Sequence, residues 1–136
     1  MTVLLLDAGV WIAAKDGADR YSKAARRVAV DSDQPVAALD LTLYEVANVI
    51  GSSKGRIEEA TDVCRLISSR CAGRMVAVDA QLIRRTVETA AEHGLTAYDA
   101  AYVAAARRHG WTLVSTDITD LVSKGLAVAP DAADYP

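Results

Sequence analysis

The sequence predicts an α/β protein with three layers, built on a mostly parallel central sheet, and three observations lead there. Short, continuously apolar runs such as Val3 to Leu6 suit interior strands covered on both faces. Those runs alternate along the chain with segments of helical period, as in βαβ units. Acids stand at strand ends or in the helices that follow, where the carboxyl edge of a parallel sheet gathers side chains into one crevice.

The first strand, Val3 to Leu6, ends at Asp7, and Asp7-Ala8-Gly9 turns the chain into a short helix, Val10 to Ala14, stopped by Gly17. Tyr21 to Val30 has Ala24, Ala25, Val28 and Ala29 on one face and Arg20, Lys23, Arg26 and Arg27 on the other, which makes it an amphipathic helix. Pro35 opens a second strand, to Leu39. Thr42 to about Lys54 and Ile57 to Ser69 are the next helices. Gly73 precedes a strand, Met75 to Val78, and Asp79 caps a helix from Ala80 to His93. Thr96 caps a further, alanine-rich helix that carries Asp99 and runs to His109, with Gly110 as its stop. A strand from Thr112 to Ser115, a short helix near Thr119 to Lys124 and a last strand, Leu126 to Val128, complete the pattern. The tail 130–136 is expected to be loosely held, and residues 1–136 are expected to form a single domain.

The composition, 51% hydrophobic and 24% charged, is that of a globular protein, and no apolar run approaches the roughly 20 residues of a membrane span. No basic region precedes the first apolar run, so it reads as a strand rather than a signal peptide, and a cytoplasmic location is expected. Cys64 and Cys71 lack CxxC spacing and read as free thiols in or near the core. His93 and His109 each precede a glycine at a helix end, where their partial positive charge suits the helix dipole. The basic pairs Arg26-Arg27, Arg84-Arg85 and Arg107-Arg108 read as solvated helix faces.

Four acids carry the chemistry: Asp7, Glu45, Asp99 and Asp117. Taken alone, Asp99 is explained equally well as part of a capping box, Thr96-x-x-Asp99. Its recurrence with the other three at strand ends favours a crevice. Acids gathered there repel one another and must protonate, find cationic partners or bind metal. No basic residue stands beside Asp7, Asp99 or Asp117 in the sequence. Hard oxygen ligands suit Mg²⁺ or Mn²⁺, which accept phosphate oxygens in their open positions, so phosphodiester hydrolysis is the chemistry that fits. The net charge of −3 becomes +1 when these four acids are left out, and so neither supports nor excludes a nucleic-acid partner. A haloacid-dehalogenase-like phosphatase needs Asp-x-Asp after the first strand, where this chain has Gly9. A receiver domain needs an adjacent acid pair there, and a P-loop is absent.

Leu5-Leu6-Asp7 with Trp11-Ile12, Leu43-Tyr44-Glu45-Val46-Ala47-Asn48-Val49, Leu95-Thr96-Ala97-Tyr98-Asp99-Ala100-Ala101-Tyr102 and Leu113-Val114-Ser115-Thr116-Asp117 together resemble the four acidic motifs of the PIN-domain ribonucleases, and the size resembles that of the VapC toxins of VapBC toxin–antitoxin pairs. The resemblance implies a PIN-like α/β/α fold and an endoribonuclease dependent on Mg²⁺ or Mn²⁺. It implies Asp7, Glu45, Asp99 and Asp117 as its metal-binding, catalytic acids. Ser115 and Thr116 become candidate supporting hydroxyls, and Asp120 an acid standing behind the ligands. The implied partners are an RNA substrate, a cognate VapB-type antitoxin that covers the site, and a second copy in a homodimer. Asp16, Asp19, Asp31, Asp33 and Asp62 read as turn or surface acids.

The chain departs from the family at Ala8-Gly9, where a hydroxyl or amide side chain is usual. A second reading follows: a PIN-like module with impaired catalysis that binds RNA or a protein partner. Under that reading, Gly9→Ser would restore turnover.

Overall fold

Four short parallel strands form the centre of the computed structural model, which describes residues 2–132: β1 (Leu4–Leu6), β2 (Val36–Leu39), β3 (Met75–Val76) and β4 (Thr112–Val114). Their order is β3-β2-β1-β4. The chain therefore builds the sheet outward from β1 in one direction and returns for β4 on the other side, and all four strands end at the same edge. Between β1 and β4 lies the point where the winding reverses.

Helices cover both faces, as the side-chain alternation of the strands requires. Leu4, Leu6, Val36, Ala38 and Val114 face a core closed by α1 (Ala8–Lys15), α2 (Ser22–Arg26), α3 (Asp40–Val46) and α4 (Ile57–Arg70). Leu5, Ala37, Leu39 and Leu113 face the opposite core, closed by α5 (Ala80–His93) and α6 (Ala97–His109). Helix α6 is buried on nearly every side after Asp99, and its alanines at 100, 101, 104, 105 and 106 let it lie close to both the sheet and α5.

The caps are those the sequence predicts. Asp79 accepts from the Leu82 N–H at 2.7 Å, Thr96 Oγ1 accepts from the Asp99 N–H at 3.2 Å, and Gly94 and Gly110 stop their helices at positive φ. Boundaries move elsewhere. Helix α1 starts at Ala8, because Asp7 is its cap. The helices after Tyr21 and Asp40 begin as α-helix and widen into π-type turns over Arg27–Asp31 and Ala47–Ser53. The short helix after Asp117 is a π-type turn, Ile118–Val122. The third strand ends at Val76, two residues early, and the exposed Val78 gives its N–H to the Asp40 carboxylate instead of a neighbouring strand. The expected strand Leu126 to Val128 is reduced to one parallel bridge, Val114 with Val128, since nothing beyond it extends the sheet among the described residues. Of the expected loose tail, 133–136 lie outside the described residues, and Pro130 is buried.

Both cysteines are free, with Cys71 buried and its thiol pushed up to about 12 by that burial. His109 stacks on Trp111, and the three arginine pairs are exposed.

Candidate functional site

The acids enter the crevice from four elements. Asp7 directly follows β1, the strand nearest the centre, and is itself almost fully buried. One carboxylate oxygen, Oδ1, accepts from the Val10 N–H at 3.2 Å, which caps α1; the other, Oδ2, accepts a very short hydrogen bond from the Ser115 hydroxyl. Ser115 is completely buried just past β4, and its oxygen also accepts from the Asp117 N–H at 2.9 Å. A single hydroxyl thus joins the loops after two adjacent strands. Asp117 caps the turn that follows, accepting from the Asp120 N–H at 2.9 Å.

Asp99 projects from the first turn of α6. The capping explanation accounts for its backbone N–H, which Thr96 holds, but not for its carboxylate, which has no hydrogen-bond donor among the described residues. One carboxylate oxygen each from Asp99, Asp117 and Asp120 lie within 4.8 Å of one another. The sequence placed Asp120 behind the candidate ligands; in the structure it lies in the turn capped by Asp117 and stands with Asp99 and Asp117. Asp7 and Glu45 lie outside that triad of oxygens but close enough to feel it.

Their mutual effect shows in their protonation. Burial pushes the Asp7 carboxyl up to about 7, against the lowering effect of its two hydrogen bonds, and the nearby charges of Glu45 and Asp99 add to the rise. Glu45 is raised by burial first and by Asp99 second, and Asp99 by burial and then by Asp117 and Asp120. No lysine, arginine or histidine forms an ion pair with any of the five among the described residues. Carboxylate oxygens that close together without a cationic side chain match the donor set of a divalent cation with hard oxygen preference.

Two residues of the site were not singled out from the sequence. Tyr102, one turn beyond Asp99, is buried, and its hydroxyl donates to Glu45 Oε1 at 2.7 Å; Thr42 Oγ1 lies 2.8 Å from the same hydroxyl. The available signal was a hydroxyl three residues after an acid, on the same face of an otherwise apolar helix.

Thr116 also bounds the space beside Gly9. A Cβ at position 9 would meet Thr116 Oγ1 at 2.4 Å and Asp7 Oδ1 at 3.3 Å, so Thr116 already fills the space that a side chain there would need. Gly9→Ser therefore requires Thr116 to turn aside. It is expected to lower stability by about 1–3 kcal/mol through overpacking and to lower activity with it, and Thr116→Ala in the same chain should relieve most of the loss. Thermal denaturation of the single and double variants checks this; a Gly9→Ser protein as stable as the parent contradicts it.

The PIN-domain family model matches residues 4–121. Ribonuclease VapC3 of Pyrobaculum aerophilum is 35% identical over 118 residues, 84% of this chain and 88% of that protein. Among solved structures, Mycobacterium tuberculosis VapC20, titled as a toxin that cleaves the sarcin-ricin loop, superposes with a TM-score of 0.73 at 19% identity, covering 90% of this chain and 95% of that one. A toxin–antitoxin complex from Klebsiella pneumoniae gives 0.71 at 18% identity, covering 93% and 97%. FitAcB from Neisseria gonorrhoeae gives 0.70 at 20%, also covering 93% and 97%. Those structures share the fold; the domain match, which runs from β1 through the turn after Asp117, and the VapC3 alignment across most of both chains make this chain a member of the PIN-domain family.

Proposed function

We propose that the protein is a divalent-metal-dependent endoribonuclease and the toxin of a toxin–antitoxin pair. The observation that carries this reading is the convergence of Asp7, Glu45, Asp99 and Asp117, joined by Asp120, on one crevice with no cationic side chain among the described residues to neutralise them. A binding module has no physical use for such a cluster, whose members oppose one another's ionisation.

Asp99, Asp117 and Asp120 are the acids best placed to hold a cation, with Asp7 and Glu45 completing the set. Mg²⁺ or Mn²⁺ is the ion this donor set favours. Held by these acids, such an ion would supply positive charge to neutralise the phosphate oxygens and to favour deprotonation of the attacking water. The rest is the chain's own work. Ser115 and the Val10 N–H hold both oxygens of Asp7 in place, Asp117 is fixed by its own helix cap, and an acid of the crevice takes the proton of the attacking water.

RNA reaches the crevice as a single strand or loop, whose backbone adapts to the site more readily than a duplex. Exposed Tyr44 and Tyr98, next in sequence to Glu45 and Asp99, leave apolar surface around the acids for a VapB-type antitoxin or a second copy in a homodimer. The solved complexes among its structural neighbours support the antitoxin. No helix among the described residues is long and apolar enough to cross a membrane, and the proposed site of action is the cytoplasm.

The test is incubation of antitoxin-free protein with a pool of cellular RNA. Discrete cuts with Mg²⁺ or Mn²⁺, none with EDTA or with Ca²⁺ alone, and none from an Asp117→Asn control are expected. Cleavage that persists in EDTA would overturn the reading.

A further inference from the structure

We infer that Tyr102 is a positioning residue, and that a relay through Thr42 and Tyr102 aims the Glu45 carboxylate into the acid crevice. The inference rests on the proposed metal-dependent reading of that crevice.

Every member of the relay has a defined role. The Leu39 N–H, at the end of β2, donates to Thr42 Oγ1 at 3.1 Å. With the oxygen of Thr42 occupied in this way and the proton of Tyr102 given to Glu45, the proton between Thr42 Oγ1 and the Tyr102 hydroxyl must come from Thr42. The sequence of donors therefore runs one way, from the strand end through two buried hydroxyls to the acid. It also crosses the molecule: α3 packs on one face of the sheet and α6 on the other, and Tyr102 spans the two.

Glu45 needs such a device more than its neighbours do. Asp7 and Asp117 are short side chains held by backbone N–H groups at helix caps. Glu45 has one more rotatable bond, sits in mid-helix where no backbone donor is free, and has Tyr102 as its one hydrogen-bond donor among the described residues. That bond occupies Oε1 and leaves Oε2 without a partner among the described residues. Tyr102 cannot drift, because it is 2% exposed and Thr42 is fully buried. A Phe and Val pair would fill the same space without burying two hydroxyls, so core packing alone does not account for them. Helix α6 thus supplies an acid, Asp99, and one turn later the donor that orients a second acid on another helix.

The test compares Tyr102→Phe, Thr42→Val, Thr42→Ser and the double variant Tyr102→Phe/Thr42→Val with the parent protein. Three readouts are used: Mn²⁺ affinity by titration calorimetry without RNA, kcat and KM for RNA, and thermal stability. Tyr102→Phe should weaken Mn²⁺ binding by about 10-fold or more and lower kcat in step, with KM for RNA unchanged. Thr42→Val should act in the same direction and Thr42→Ser should behave as the parent. The double variant should lose no more than Tyr102→Phe alone, because both changes break one relay.

Parent-like Mn²⁺ affinity in Tyr102→Phe would overturn the inference, as would a loss that vanishes at a temperature where both proteins are fully folded. A parent that binds no Mn²⁺ would overturn it too. Weakened Mn²⁺ binding with no RNA cleavage by the parent would keep the relay and remove the nuclease. Intact cleavage with an indifferent Tyr102→Phe would do the reverse.

Discussion

Asp99→Asn is expected to abolish RNA cleavage, by about a thousandfold or more, while making the metal-free protein more stable. The two effects have one cause. The Asp99 carboxylate receives no hydrogen bond from the described residues, is pushed up by burial and then by Asp117 and Asp120, and itself raises Asp7 and Glu45. Its charge is a burden on the folded chain that only a cation can lift. The amide keeps the shape and removes the burden, so the melting temperature rises by a few degrees. With the charge goes one of the proposed ligands of the site, and the several kcal/mol of transition-state stabilisation that a cation would provide become an expected loss of three or more orders of magnitude in rate. The N-cap of α6 is untouched, since Thr96 bonds to the backbone of residue 99 and not to its side chain. Rate and melting temperature measured on the same preparations decide the matter. A variant that is both inactive and less stable would mean Asp99 is structural.

The second large effect is on pH. In EDTA, the protein is expected to be more stable at pH 5 than at pH 8. The Asp7 carboxyl titrates near 7 in the folded chain and in the ordinary carboxylate range when unfolded, so between those values the folded state binds the extra proton. Stability is therefore full below the unfolded value and falls as pH rises through about 7, by a few kcal/mol and so by about 10 °C in melting temperature. Glu45 and Asp99, raised by burial and by their neighbours, act in the same direction. Asp79, lowered first by its bond from the Leu82 N–H, has the opposite sign, but its window lies below pH 4. Adding Mn²⁺ should reverse the loss at pH 8 and do much less at pH 5, where protons compete for the same oxygens. A melting temperature in EDTA that climbs from pH 5 to pH 8 would contradict this account.

The parallel class of the sheet and the caps and stops of its last two α-helices were legible because each depends on local signals: an apolar run, a capping residue, a stopping glycine. Asp79, Thr96, Gly94 and Gly110 act where their sequence context puts them. The strand at Leu126 to Val128 was not legible in its true extent, since an apolar triplet says nothing of how many partners it finds, and here it finds one. The π-type turns were missed for a related reason: helical period does not distinguish a regular turn from a widened one. The place of Asp120 beside Asp99 and Asp117 was missed separately, because it shows only once Asp99 arrives from another helix. Tyr102 and Thr42 were hidden because their partners lie 57 and 60 residues away. The surroundings of Gly9 were hidden for the same reason, since Thr116, which a side chain there would meet, comes close only in the fold.

The bond between Ser115 and Asp7 spans 108 positions, and it joins the first strand to the last. During synthesis, Asp7 emerges 108 residues before its hydroxyl partner, and Asp117 follows that partner by two. A nascent or prematurely ended polypeptide carries the first acids of the crevice without the means to align them. Destructive chemistry assembled from residues 108 positions apart stays dormant until translation has passed both Ser115 and Asp117.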